Sequence, residues 1–225
     1  MGIVNKFISV LKGINFKTIY FNFTYLPFKQ AILLPIAVSR HVFLLKTKGK
    51  IIIEMPVRPG IIKIGYKGVG LFDHKRSRSI WEVSGTVIFK GKTFIGHGSK
   101  ISVGDQGKLI IGQNFVVTAE STIAAIDKII EFGDNCLLSW DSLIMSSDYH
   151  KIYDSTNEQI NKAEDVFIGN HVWIGCRCLI LKGTYIPDNS VIAANSLVNK
   201  KLDGECKLFG GQPAKELKAN IKWSE

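Results

Sequence analysis

Residues 168–198 read IGNHVWIGCRCLILKGTYIPDNSVIAANSLV, and a large aliphatic residue returns at every sixth position: Ile168, Ile174, Ile180, Ile186, Ile192 and Val198. Four residues after these positions come small or medium side chains, Val172, Cys178, Thr184, Ser190 and Ser196. A step of six matches neither the turn of an amphipathic helix nor the plain alternation of a lone strand. It suits a triangular solenoid. If each six-residue unit forms one flat face, three units close a coil of about eighteen residues, and each aliphatic residue points into a shared core.

Outward from this stretch the same step holds at Phe132, Leu138 and Ile144, with Cys136 and Ser142 in the small slot. It holds again at Ile111, Val117 and Ile123, and at Val83, Phe89, Ile95 and Ile101. The frame makes Cys136 and Cys178 small inward side chains, the ordinary fate of a buried cysteine. Short breaks after Ile101 and Ile123 read as loops at coil corners. The long break, from Met145 to Phe167, is polar, and a solenoid's one long excursion is where function concentrates.

The 225 residues are 46% hydrophobic and 21% charged, the balance of a globular chain with one sizeable core. Cys136, Cys176, Cys178 and Cys206 make no C-x-x-C pair, which argues against a zinc ribbon or a disulfide framework. With no cleavable leader read at the start, a reducing cytoplasm is expected. The net charge is +10, and residues 1–53 hold no Asp or Glu but carry Lys6, Lys12, Lys17, Lys29, Arg40, Lys46, Lys48 and Lys50. No base-reading motif accompanies these charges, so nucleic acid is not the expected partner. Interleaved with Phe7, Phe16, Phe21, Phe23 and Phe28, they fit peripheral contact with an anionic inner-membrane surface, or a cap over the first coil. The longest apolar run, Ala31 to Leu45, is broken by Pro35, Arg40 and His41 and is too short to span a bilayer.

Three local patterns add a resemblance. Ser146-Ser147-Asp148-Tyr149-His150 lies in the excursion, Val172-Trp173-Ile174-Gly175 in the coil after it, and Gly211-Gln212-Pro213-Ala214-Lys215 near the end. With the repeat, they resemble the hexapeptide-repeat acyltransferases, in the branch of maltose, galactoside and capsular-polysaccharide O-acetyltransferases. The resemblance implies an all-β, left-handed parallel β-helix that forms a homotrimer and uses acetyl-CoA to acetylate a hydroxyl of a sugar or cell-surface glycan. The expected organisation is a basic N-terminal segment at 1–80, the solenoid at 81–210 with its active-site loop at 145–167, and a closing turn with a short helix at 211–225. N-acetylation of an amino sugar and a catalytically inactive trimeric scaffold are the competing readings.

His150 is the expected general base, since an imidazole can take an alcohol's proton near neutral pH and return it. Asp148 either orients that ring or caps a turn. Trp173, Gly175, Ala193, Ala194 and Pro213 are expected along the coenzyme groove, the glycine and alanines offering backbone amides. Lys200, Lys201 and Lys215 would meet phosphates, although a solvated surface charge is the commoner fate of a lysine. Trp140 and Tyr149 are expected to line the acceptor side. His97 and His171 fall at outward positions, while His41 and His74 precede the clear repeat. No close histidine pair within one coil suggests a metal site.

Overall fold

A six-residue unit leaves room for only a short strand on each face, and the strands run from two residues (Leu137–Leu138) to six (Val42–Thr47). The computed structural model describes residues 15–66, 68–73 and 75–224. Its strands stack into three sheets of nine, seven and six, parallel except for the final hairpin. Along the deciding stretch, strand partners lie eighteen residues apart: Phe167 beside Tyr185, Trp173 beside Val191, Leu179 beside Leu197. This is a three-sided β-helix whose sides are the three sheets. The aliphatic frame fills its interior, and of the six residues from Ile168 to Val198 the most exposed, Ile168, shows 3% of its surface. The second slot is buried as well, Cys136 and Cys178 included.

Corners between faces require a sharp backbone reversal, and several non-glycine residues there adopt left-handed φ. Asn189 (57°), Asn195 (59°) and His171 (53°) are of types enriched there, whereas Arg177 (58°) is not. Gly175 answers a different demand. A Cβ there would lie 2.7 Å from the amide nitrogen of Ala194 in the next coil.

Two expected boundaries differ from the structure. The coils begin at Ile36 rather than near residue 81: Ile36 pairs with Ile62, and Ile62 with Thr93, in the same sheet as Trp173. Connections of unequal length between these early strands hide the step of six while the pairing continues. At the other end, Pro213 is followed by a strand and not a helix. Ala214–Lys218 runs antiparallel to Leu208–Gly211, and so covers the last edge of the first sheet, which would otherwise present unpaired backbone.

The opposite edge, strand Ile36–Val38, is closed by helix α1 (Phe16–Tyr25). The Asn22 side chain donates to the Ile36 carbonyl (2.7 Å) and accepts from its N–H (3.1 Å). The Thr18 hydroxyl does both for Val38, each at 3.0 Å. Phe21 plugs the end of the core against Trp81, with ring centroids 5.1 Å apart.

Candidate active site at one corner of the prism

The excursion occupies residues 146–165, between a strand of the second face, Leu143–Met145, and one of the third, Val166–Ile168. A bridge between Tyr153 and Gln159 folds it back on itself. Ser147 Oγ accepts the Tyr149 N–H at 3.2 Å, and Tyr149, at a left-handed φ of 64°, turns the chain so that both it and His150 face solvent. The His150 N–H donates to the Asp148 carbonyl at 2.7 Å, and no hydrogen bond from a described residue restrains its imidazole.

Asp148 does neither of the things expected of it. Its Oδ2 accepts from Lys182 Nζ at 2.5 Å and from Asn161 Nδ2 at 2.9 Å. The Lys182 hydrogen bond holds the carboxyl below the usual aspartate range, against an opposing effect of burial. Asn161 ties the loop together: its Nδ2 also reaches the His150 carbonyl (2.8 Å), its Oδ1 accepts the Ile152 N–H (2.7 Å), and its own carbonyl accepts from Lys182 (2.9 Å). The backbone on both sides of His150 is thereby fixed to a lysine rooted in the solenoid. Neither Lys182 nor Asn161 stands out in the sequence, because only the stacking of Leu143–Met145 under Leu179–Ile180 brings residue 182 above the loop.

The same stacking continues to Leu197–Val198, so Lys200 and Lys201 leave the prism at the same corner as the loop. Two strand spacings, about 10 Å, separate the two levels along the axis. Lys200, Lys201, Lys207 and Lys215 line one recess of about 300 Å³ with Leu202, Phe209 and Ala214 and with two carboxylates, Asp203 and Glu216, the latter paired to Lys207 at 2.7 Å. The four lysines outnumber the two carboxylates, so the walls keep a net positive charge over an apolar floor, the chemistry a phosphorylated, partly apolar cosubstrate requires. Exposed Ala194 and Pro213 lie near this end, Pro213 in the closing hairpin. The amides of Gly175 and Ala193 are not available, for they donate to the carbonyls of Ile192 and Phe209, each at 2.8 Å.

Trp173 and Trp140 are at least partly exposed, and the Trp173 indole donates to Ser139 Oγ at 3.0 Å. Trp223, which no sequence pattern marks, stacks on His171 at 4.3 Å and sits 6.1 Å from Trp173. With Phe94 and Val116 it lines a groove of about 450 Å³ on the first face. His97 departs from its expected outward place. It is 2% exposed, covered by residues 68–72, with its Nδ1 accepting the Gly68 N–H at 3.3 Å. His74, Lys6, Lys12 and Phe7 lie outside the described residues, among which no cluster with metal-ligating composition occurs.

Residues 165–200 match the family model described as bacterial transferase hexapeptide (six repeats). The solenoid carries the hexapeptide repeat of bacterial transferases over that stretch. Its helix is therefore the left-handed parallel form expected from the sequence. A polysialic acid O-acetyltransferase of Escherichia coli O1:K1 / APEC is 34% identical over 136 residues, 60% of this chain and 41% of the relative, so the match spans less than half of that protein. Among solved structures, the polySia specific acetyltransferase NeuO superposes with a TM-score of 0.59 at 26% identity, over 84% of this chain and 74% of the other. A galactoside acetyltransferase in complex with coenzyme A gives 0.50 at 26% identity, over 59% and 64%.

Proposed function

We propose that this hexapeptide-repeat protein transfers an acetyl group from acetyl-CoA to a hydroxyl of a glycan, as a homotrimer, with His150 as general base. One observation carries the reading: the loop that presents an unrestrained imidazole and the lysine-lined recess leave the prism at the same corner, about two strand spacings apart. His150 takes the acceptor's hydroxyl proton as that oxygen bonds to the thioester carbonyl carbon, and returns it to the sulfur as the carbon–sulfur bond breaks. Backbone N–H groups stabilise the oxyanion in between. Lys200, Lys201 and Lys215 hold the phosphates. An anionic glycan such as polysialic acid is the favoured acceptor, supported by the named relatives and by the net charge of +10. Such an enzyme works on the cytoplasmic side, peripheral to the membrane at which cell-surface glycans are assembled.

The test is His150→Ala. Loss of a general base costs roughly 10²–10⁴-fold in rate. The variant is expected to keep its oligomeric mass and its affinity for CoA while transfer from acetyl-CoA to polysialic acid collapses; activity within a few-fold of the parent removes His150 from the mechanism.

A further inference from the structure

Helix α1 is oriented opposite to a normal surface helix. Its buried positions are Thr18, Phe21 and Asn22, two of them polar and committed to the edge strand Ile36–Val38. Its outward stripe is Phe16, Ile19, Tyr20 and Phe23, at the spacing of one helix face, and all four are exposed, Phe16 by 79%. The physical cause lies in the fold. The first strand has no coil beneath it, so its backbone groups call for polar side chains from the helix, and the apolar positions are left facing away.

The surface extends beyond the helix through Phe28 (69% exposed) and Ile32 (59%). Phe23 and Phe28 touch edge to face at 6.0 Å, so the patch is continuous across the turn after the helix. Exposed Lys29 and Arg40 flank it, Arg40 tied to the helix through the Lys17 ammonium on its carbonyl at 2.8 Å. No carboxylate precedes Glu54 in the sequence. No helix among the described residues is long and apolar enough to cross a membrane.

We infer that the capped end of the solenoid is a docking face for an anionic lipid bilayer: the aromatic stripe enters the headgroup boundary and Lys29 and Arg40 meet anionic headgroups. Charge selects this occupant. A second copy would set the same cations against each other, and a soluble polyanion has no use for six exposed apolar side chains. The geometry deepens the transferase reading above, on which only the following consequence rests. The second face climbs four strand spacings from Val42–Thr47 to Leu143–Met145, which stands the His150 loop about 20 Å above the docked end, where a glycan projecting from the membrane is within reach.

The experiment is sedimentation of the full chain with vesicles of phosphatidylcholine alone, and with about one-third phosphatidylglycerol. Binding only to the anionic vesicles is expected. Lys29→Gln with Arg40→Gln should weaken it by about 25-fold, near fivefold per charge. Phe16→Ala with Phe28→Ala should weaken it by at least about tenfold. Both double variants should keep the parent's circular dichroism, oligomeric mass and rate of transfer to a soluble acceptor, since every altered side chain is exposed. Four results overturn the inference: equal binding to neutral vesicles, binding unaffected by either double variant, a changed oligomeric mass in the Phe16/Phe28 variant, which assigns the face to a second copy, or complete displacement of vesicles by soluble polysialic acid. Vesicle binding without acetyl transfer would refute the proposed function and leave the docking face standing; transfer without vesicle binding would do the reverse.

Discussion

Removing the charge of Lys182 while keeping its stem, as Lys182→Met, isolates the tether that holds the His150 loop. The ammonium donates to Asp148 and to the Asn161 carbonyl, and its side chain is 17% exposed against 35% for Asp148. A charge-assisted hydrogen bond contributes about 1.5–3 kcal/mol. Solvent around the half-buried aspartate reduces this to roughly 1–2 kcal/mol. That amount shifts the balance between tethered and released loop by about 5- to 30-fold. Limited trypsinolysis reports on it directly, because Lys151 and Lys162 are exposed within the excursion. Faster cleavage there is expected, with kcat/KM for transfer down by about tenfold, the Kd for CoA unchanged and the melting temperature nearly so. The acid limit follows from the same pair. Asp148 titrates below its unfolded value, so the tether is present above the ordinary aspartate range and is lost as pH falls through the depressed folded value. Lys182→Met should therefore also return the Asp148 carboxyl, read by carbon NMR, toward the ordinary range. Cleavage rate and kcat/KM both within about twofold of the parent would refute the assignment of Lys182 as a positioning residue.

Ile180 is fully buried between Ile144 and Val198 on the second face, so Ile180→Asp should cost at least about 4 kcal/mol by denaturant unfolding or abolish folding. Burial pushes the Cys136 thiol up to about 12 and raises that of Cys178, so iodoacetamide at mildly alkaline pH should modify the half-buried Cys176 and Cys206 and spare the other two, as read by peptide mass. Replacing Lys200 and Lys215 together by Ala should raise the CoA dissociation constant by about tenfold and flatten its salt dependence; unchanged calorimetric binding would move the phosphate site elsewhere.

The repeat was legible because a β-helix core is periodic: each inward aliphatic residue faces the same environment as the one six positions on, so Ile168 through Val198 could be assigned inward before any contact was known. Frame loss between Met145 and Phe167 likewise located the excursion that carries His150. Three things depended on stacking that local sequence does not encode. Lys182 reaches Asp148, thirty-four residues away, only through the register of the second face. Unequal early connections hid coils that begin at Ile36, and the C-terminal segment became a strand because an open sheet edge lay beside it. Helix α1 shows the division most plainly. Its sequence contains one apolar stripe and one set of polar positions, and amphipathicity alone would bury the stripe. The unpaired backbone of Ile36–Val38 instead drew Thr18 and Asn22 inward, where they satisfy four backbone groups that would otherwise be buried without partners at about 1–3 kcal/mol each, and Phe16, Tyr20 and Phe23 are left facing outward.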